Sequence, residues 1–284
     1  MKSAKYILLL TTVLSISLTS CDLFYDTTTP SAGYSYNPKA RMICAGMDSP
    51  GFVGPDTPDS GLRIRAAYDS VRRIIGVNYQ VGEMPYKHCL YSYKTPGKIV
   101  KTTHFQRVDY ASSDFVETFT VNNALITQMT KRYSSSTDVT VYNYSYSQGN
   151  LTQIVEMTRH GETAKTDTMT YNLTWVDGNL TEVPYFPVSV QYSNKEWPAG
   201  FVAVQEMYWL FPSQDGFLLA AGLFGNTPAK LPSTIDTGRM SSPQSWYNYT
   251  TVGESPYPVR ISYESNGAGG TNTAVPVVLT WWPW

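Results

Sequence analysis

Tyr142-Asn143-Tyr144-Ser145-Tyr146-Ser147-Gln148-Gly149-Asn150-Leu151-Thr152-Gln153-Ile154 reads as a strand, a Gly-Asn turn and the start of a second strand. Gly149 and Asn150 accept positive φ and therefore suit a tight hairpin turn. The same sketch returns at Tyr68–Ile74, Tyr93–Ile99 and Phe119–Ile126, and as Trp175-Val176-Asp177-Gly178-Asn179-Leu180-Thr181-Glu182-Val183. The leading aromatics stand at 68, 93, 119, 146 and 175, about 25 to 29 residues apart. That period fits one hairpin per unit, two strands and two connections. Alternation agrees: Met169, Tyr171, Leu173 and Trp175 share one face, with Thr170, Asn172 and Thr174 on the other.

Composition supports the same fold. The 22 Tyr and 7 Trp suit a pleated, half-buried surface, and 20 Gly with 18 Pro supply turns. The expectation is an all-β protein: a curved antiparallel sheet or partly closed β-barrel of repeated hairpins. The texture changes after Pro187. Phe201–Phe211 and Phe217–Gly225 are apolar nearly all round, which predicts a short apolar helical segment near 200–225, filling or covering the sheet. A pair of central strands is the rival reading, because periodicity does not separate the two. Net charge is −1 with 15% charged residues of both signs, so nucleic acid is not an expected partner.

Residues 1–20 read as a signal peptide: Lys2 and Lys5, then the apolar run Tyr6–Leu18, too short to span comfortably. The end, Leu18-Thr19-Ser20-Cys21, resembles the lipobox of bacterial lipoproteins. That resemblance implies lipidation of Cys21, and the outer membrane as location, periplasmic or surface-exposed. The lipid would be the chain's one membrane contact. Residues 21–40 then form a lipidated flexible tether, and 41–284 a single β-barrel-like domain. Asp26-Thr27-Thr28 resembles an O-glycosylation site of lipoproteins in some gut bacteria, with Thr27 as acceptor. Cys44 and Cys89 fit either a disulfide, contributing about 3–4 kcal/mol, or two buried thiols.

Each hairpin unit resembles the YD-repeat of large bacterial surface proteins. Tyr68-Asp69 keeps both letters of that name, and Gly-Asn-Leu-Thr-x-Ile/Val is kept at 149–154 and 178–183. With the lipobox and the late Gly222-Leu223-Phe224-Gly225…Lys230-Leu231-Pro232-Ser233-Thr234-Ile235 segment, the chain resembles a family of gut-commensal lipoproteins of unknown function with a porin-like fold. The resemblance covers roughly 62–284. The family carries no established catalytic residue, so it implies none here.

His88, His104 and His160 do not stand at metal-ligand spacing, and no nucleophile elbow, zincin motif or phosphate loop is present. No cofactor, metal or catalytic residue is expected. Aromatics of the final third are the lead toward a ligand: Trp209, Trp246, Tyr247, Trp281 and Trp282 offer rings for stacking a sugar, against the plainer role of core packing. Trp281 and Trp282 must point to opposite faces of a strand. The functional expectation is a non-catalytic binding or scaffold module for a glycan or protein. The alternative is a hydrolase of a surface glycan built on two of Glu117, Glu156, Glu182 and Glu206, which requires the pair to be close in space.

Overall fold

A computed structural model describes residues 42–49, 61–106, 113–163, 165–182, 189–203, 207, 210–211, 214–236, 244–267 and 270–283. Its strands are β1 (Met42–Ser49), β2 (Leu62–Tyr68), β3 (Ile74–Val81), β4 (Met84–Ser92), β5 (Lys98–Phe105), β6 (Phe115–Asn122), β7 (Leu125–Tyr133), β8 (Val139–Ser147) and β9 (Asn150–Arg159). There follow β10 (Thr166–Asn172), β11 (Thr174–Val176), β12 (Asn179–Glu182), β13 (Ser189–Glu196), β14 (Lys230–Asp236), β15 (Gln244–Thr251), β16 (Pro258–Gly267) and β17 (Gly270–Pro283). One 15-stranded antiparallel sheet runs β10-β9-β8-β7-β6-β5-β4-β3-β2-β1-β17-β16-β15-β14-β13. Buried residues from Tyr171 on β10 to Leu231 on β14, across all but the last strand of the sheet, belong to one hydrophobic cluster, and Val190 on β13 packs against it. A single sheet can serve one cluster along its width only by curling around it.

The sheet is not closed; β10 and β13 are its edges. The β11–β12 hairpin stands between them. Leu173 N–H donates to Thr152 O at 2.9 Å, and Trp175 Nε1 donates to Leu151 O at 2.8 Å. On the other side Tyr192 Oη donates to Leu180 O at 2.6 Å.

The repeated motif has a physical reading. Positive φ falls on Gln148 and Gly149, and on Asp177 and Gly178. The β8–β9 turn is therefore Gln148-Gly149, not Gly149-Asn150, because Ser147 pairs with Asn150 in the ladder. The Asn150 side chain instead receives a distant segment. Its Oδ1 accepts from Asn226 Nδ2 at 2.9 Å, and the equivalent Asn179 Oδ1 accepts from Lys230 N–H at 2.9 Å. The following Leu151 and Leu180 are buried. Next, the hydroxyls of Thr152 and Thr181 each donate across their own hairpin, to Ser145 O and Thr174 O, both at 3.2 Å.

The leading aromatics also share one role. Tyr68 donates to Cys44 O (2.8 Å), Tyr93 to Ile74 O (2.9 Å), Tyr146 to Ile126 O (2.7 Å) and Trp175 to Leu151 O (2.8 Å). Each ring buries its body in the core and gives its polar hydrogen to a main-chain carbonyl of an earlier strand. Tyr192, Tyr249 and Trp281 continue the series, the last two onto Pro232 O and Pro258 O. Phe119 lacks a polar hydrogen; it is fully buried and meets the edge of Phe224 at 6.3 Å.

The core is completed by the excursion between β13 and β14. Trp197 N–H to Ala229 O, 3.0 Å, ties its two ends together. Phe201, Met207, Leu210, Leu218 and Phe224 are fully buried within it. The expected helix is a single turn, α1 (Gly216–Ala220). Leu223 N–H bonds Leu218 O and Gly222 N–H bonds Leu219 O, closing it with Gly222 at φ +80°. The chain then returns along the hairpin turns: Leu223 O accepts from Ile126 N–H (2.7 Å), Asn226 N–H donates to Gly149 O (2.8 Å) and Ala229 N–H to Gly178 O (2.8 Å). Gly225 makes that approach feasible. It has φ +83°, and a Cβ there would run into the Gly149 carbonyl oxygen.

Two substitutions test this lacing by denaturant unfolding. Gly225→Ala is expected to cost about 2 kcal/mol or more, from both strain and the backbone collision, whereas Gly253→Ala, at φ +57° in open space, should cost only about 1 kcal/mol. Tyr146→Phe is expected to cost about 1–2 kcal/mol, because Ile126 O loses its donor. Equal stability of the two glycine variants would refute the docking role of Gly225.

Candidate functional site

The aromatics singled out from the sequence do not form one cluster. Tyr247 is buried in the core, its ring 6.5 Å from that of Tyr249. Trp281 is packed inward too, stacked on Phe201 at 6.4 Å and edge-on to Tyr257 at 4.9 Å, with Nε1 donating to Pro258 O at 2.7 Å. Trp282 lies on the opposite face, 50% exposed, as strand alternation demands. Trp246, next to inward Tyr247, is half-buried and pairs with Glu264 in the ladder. Trp209, Cys21, Thr27 and Glu206 lie outside the described residues. Cys44 and Cys89 are buried and free, on β1 and β4 with β2 and β3 between them. The thiol alternative therefore replaces the disulfide: three strand spacings at about 4.8 Å each exceed disulfide reach. Burial pushes the Cys44 thiol up to about 12.

Of the buried group formed by Lys101, Glu117 and Asp215, the sequence singled out Glu117 alone. Asp215 is the N-cap of α1, and its Oδ1 accepts from Phe217 N–H and Leu218 N–H, each at 3.0 Å. Its Oδ2 takes Lys101 Nζ at 2.8 Å and Tyr91 Oη at 2.9 Å. Lys101 Nζ also lies 2.8 Å from Glu117 Oε2. Burial works against the Asp215 charge, but the Lys101 ammonium and the hydrogen bonds overcome it and hold the carboxyl below its usual value. Burial likewise opposes the Lys101 charge, and Asp215 and Glu117 together raise it well above the ordinary lysine. Burial, reinforced by Asp215, pushes Tyr91 well up. Two signals in the sequence could have found this group. Ile99, Lys101, Thr103 and Phe105 alternate onto one face, placing a lysine where the pattern is apolar, and Asp215 directly precedes an apolar helical turn.

Glu117 and Asp215 are two carboxylates close in space, but Lys101 occupies the gap between them. Neither has a geometry for acid catalysis: Asp215 holds its charge firmly and has both oxygens engaged. Of the other acids, Glu156 accepts from Tyr171 Oη at 3.1 Å and Glu182 from Thr174 Oγ1 at 2.7 Å.

Beyond this group, at the strand ends away from the Gly97, Gly149 and Gly178 turns, the inward face carries a lysine–aromatic row. Lys87 Nζ stands 4.3 Å from the Tyr79 ring and 5.9 Å from that of Phe105. Phe105 and Phe115 are 6.5 Å apart, and Lys131 Nζ is 4.2 Å from Phe115 and 4.8 Å from Tyr133. Burial lowers the proton affinity of Lys87, and Lys101 lowers it further against the carboxylates and Cys89. On the exposed surface, His160 bridges Asp138 (3.2 Å) and Asp167 (3.0 Å), which raises its affinity for a proton. His88 and His104 rings are 5.0 Å apart. Among the described residues no group of three His, Cys, Asp or Glu is placed to hold a metal ion.

No protein-family model matches the chain, and no curated protein is similar to it. Among solved structures, it is similar to a porin-like protein from Bacteroides uniformis, with 14% identity and a TM-score of 0.59 over 88% of this chain and 100% of that one. A porin-like protein from Bacteroides vulgatus gives 13% identity over 86% of this chain and 100% of that one, with a TM-score of 0.37, too low to support an argument. The first likeness establishes a shared porin-like fold.

Lys101→Met leaves two carboxylates buried without their cation and is expected to destabilise by about 3–5 kcal/mol in chemical denaturation. The folded Asp215 has a depressed pKa, so its contribution is present above the unfolded value near 3.8 and is lost as pH falls through the folded value. Stability measured against pH should decline below about pH 4, with a shallower acid limb in Asp215→Asn. An unchanged acid limb would remove Asp215 as the group responsible.

Proposed function

We propose that the protein is a lipid-anchored envelope protein whose β-domain works in water as a non-catalytic binding module. The observation that carries this reading is the polarity of the sheet. Its inner face packs against Phe201, Met207, Leu210, Leu218 and Phe224 in one apolar core. Its outward face at mid-strand mixes Val116, Val141 and Val155 with Thr118, Thr130, Asn143 and Gln153, and amide pairs Gln128–Asn143 at 2.9 Å and Gln153–Asn172 at 3.0 Å interrupt any apolar band. A membrane-spanning barrel has the opposite arrangement, an apolar outward band at bilayer height. Amide side chains aimed into hydrocarbon would each cost on the order of a kcal/mol or more. The porin-like likeness is thus one of fold, and an apolar core against the inner face supports holding something rather than passing it. Anchoring then falls to the lipid on Cys21, supported by the lipobox-like Leu18-Thr19-Ser20-Cys21.

Binding is favoured over glycan hydrolysis by the carboxylates, since Lys101 stands between Glu117 and Asp215. The chain from residue 22 onward is expected to remain soluble and monodisperse without detergent, while the full chain incorporates labelled fatty acid and fractionates with membranes. Loss of label in Cys21→Ser completes the expected pattern. Precipitation of the shortened chain, reversed only by detergent, would overturn the water-facing reading.

A further inference from the structure

The buried ion group and the lysine–aromatic row share the inward face of β3–β7, yet they differ in electrostatic completeness. Lys101 is satisfied by two carboxylates at 2.8 Å. Lys87 and Lys131 have ring partners only; among the described residues neither has a carboxylate within ion-pair distance. Lys131 stands directly across the ladder from Glu117, but Glu117 is engaged by Lys101. Among the described residues, three inward lysines thus face two inward carboxylates locally. Glu156, two strands beyond Lys131, is held by the Tyr171 hydroxyl.

The rings have a consistent placement. Phe105 ends β5, Phe115 begins β6 and Tyr133 ends β7, so three aromatics meet at one end of adjacent strands. Phe105 and Phe115 are partly exposed, and Tyr133 is exposed by 40%. Phe115 and Tyr133 lie edge to face at 5.5 Å, and Phe105 is tilted 53° from Phe115. Such an array offers both apolar faces and electropositive ring edges. A cation held over rings without a counter-ion is a standing attraction for an anion, stronger where water is partly excluded.

We propose that Lys87 and Lys131, with Phe105, Phe115 and Tyr133, form the binding site of this module, and that its ligand is an acidic carbohydrate. Lys87 on β4 and Lys131 on β7 are three strands apart, so each pairs with a separate anionic group of the chain, carboxylate or sulfate, and the apolar face of a sugar ring between them lies on the edges and faces of Phe105 and Phe115. The lowered proton affinity of Lys87 agrees, because an arriving anion restores what burial withdrew. This assignment rests on the binding-module reading above and adds to it a place and a ligand class.

The test titrates the full chain, in mild detergent, with oligogalacturonate, with a chondroitin sulfate oligosaccharide and with neutral cello-oligosaccharide, by calorimetry. At least one acidic ligand is expected to bind, more weakly at high salt, with the neutral sugar much weaker; the arm that binds identifies carboxylate or sulfate. Lys87→Gln and Lys131→Gln should each weaken binding about tenfold, the loss of one charge-assisted contact. Lys131→Arg should retain most of the affinity, and thermal unfolding should show all three variants folded. Equal affinity for neutral and acidic sugars, or binding indifferent to both Gln substitutions, overturns this site while leaving the binding module intact. Binding of no sugar in any arm overturns the site and the glycan form of the function together.

Discussion

The rest of the structure depends on one carboxylate. Asp215 uses one oxygen to begin α1 and the other to hold Lys101 and Tyr91, so it fastens the apolar excursion to β4 and β5 from inside. An open sheet of this width curls around an interior that its own side chains do not fill. The excursion supplies the missing volume with Phe201, Met207, Leu218 and Phe224, all fully buried. A buried ion pair is an expensive way to add stability, but it is directional. It decides where a short helix starts, which burial of leucines alone does not.

The second constraint is at the turns. The returning chain between Leu223 and Lys230 bonds to Ile126, Gly149, Asn150, Gly178 and Asn179 in succession. The repeated Gly-Asn-Leu-Thr motif is therefore more than hairpin chemistry. Glycine makes the turn, asparagine receives the returning segment, leucine enters the core and threonine closes its own hairpin. In four of the five units the leading aromatic, Tyr68, Tyr93, Tyr146 or Trp175, caps a carbonyl of an earlier strand, which ties neighbouring hairpins to one another. Stability and register are set by the same few positions.

These constraints leave the two ends of the strands unlike. The turn end is laced and apolar, whereas the opposite end presents lysines and partly exposed rings on the inward face. At that end Lys87 and Lys131 lie against aromatic rings, and among the described residues neither has a carboxylate within ion-pair distance.

The sequence by itself determined the class of fold. Alternation, the spacing of Tyr68, Tyr93, Phe119, Tyr146 and Trp175, and the Gly-Asn and Asp-Gly pairs are local signals, and strand and turn are local choices. It also located the break in the repeat, near 200, although Gly222 and the Asp215 cap held the expected helix to one turn. The candidate site was hidden because its members, Lys87, Lys101, Phe115, Lys131 and Asp215, lie on five separate elements. Their meeting depends on strand register and on where the excursion docks. The opposite faces of Trp281 and Trp282 follow from strand alternation in the sequence alone, whereas the packing of Trp281 on Phe201 and the burial of Tyr247 in the core depend on where the excursion and the sheet meet. Only the tertiary structure decided which charges find partners, because that is settled across strands rather than along the chain.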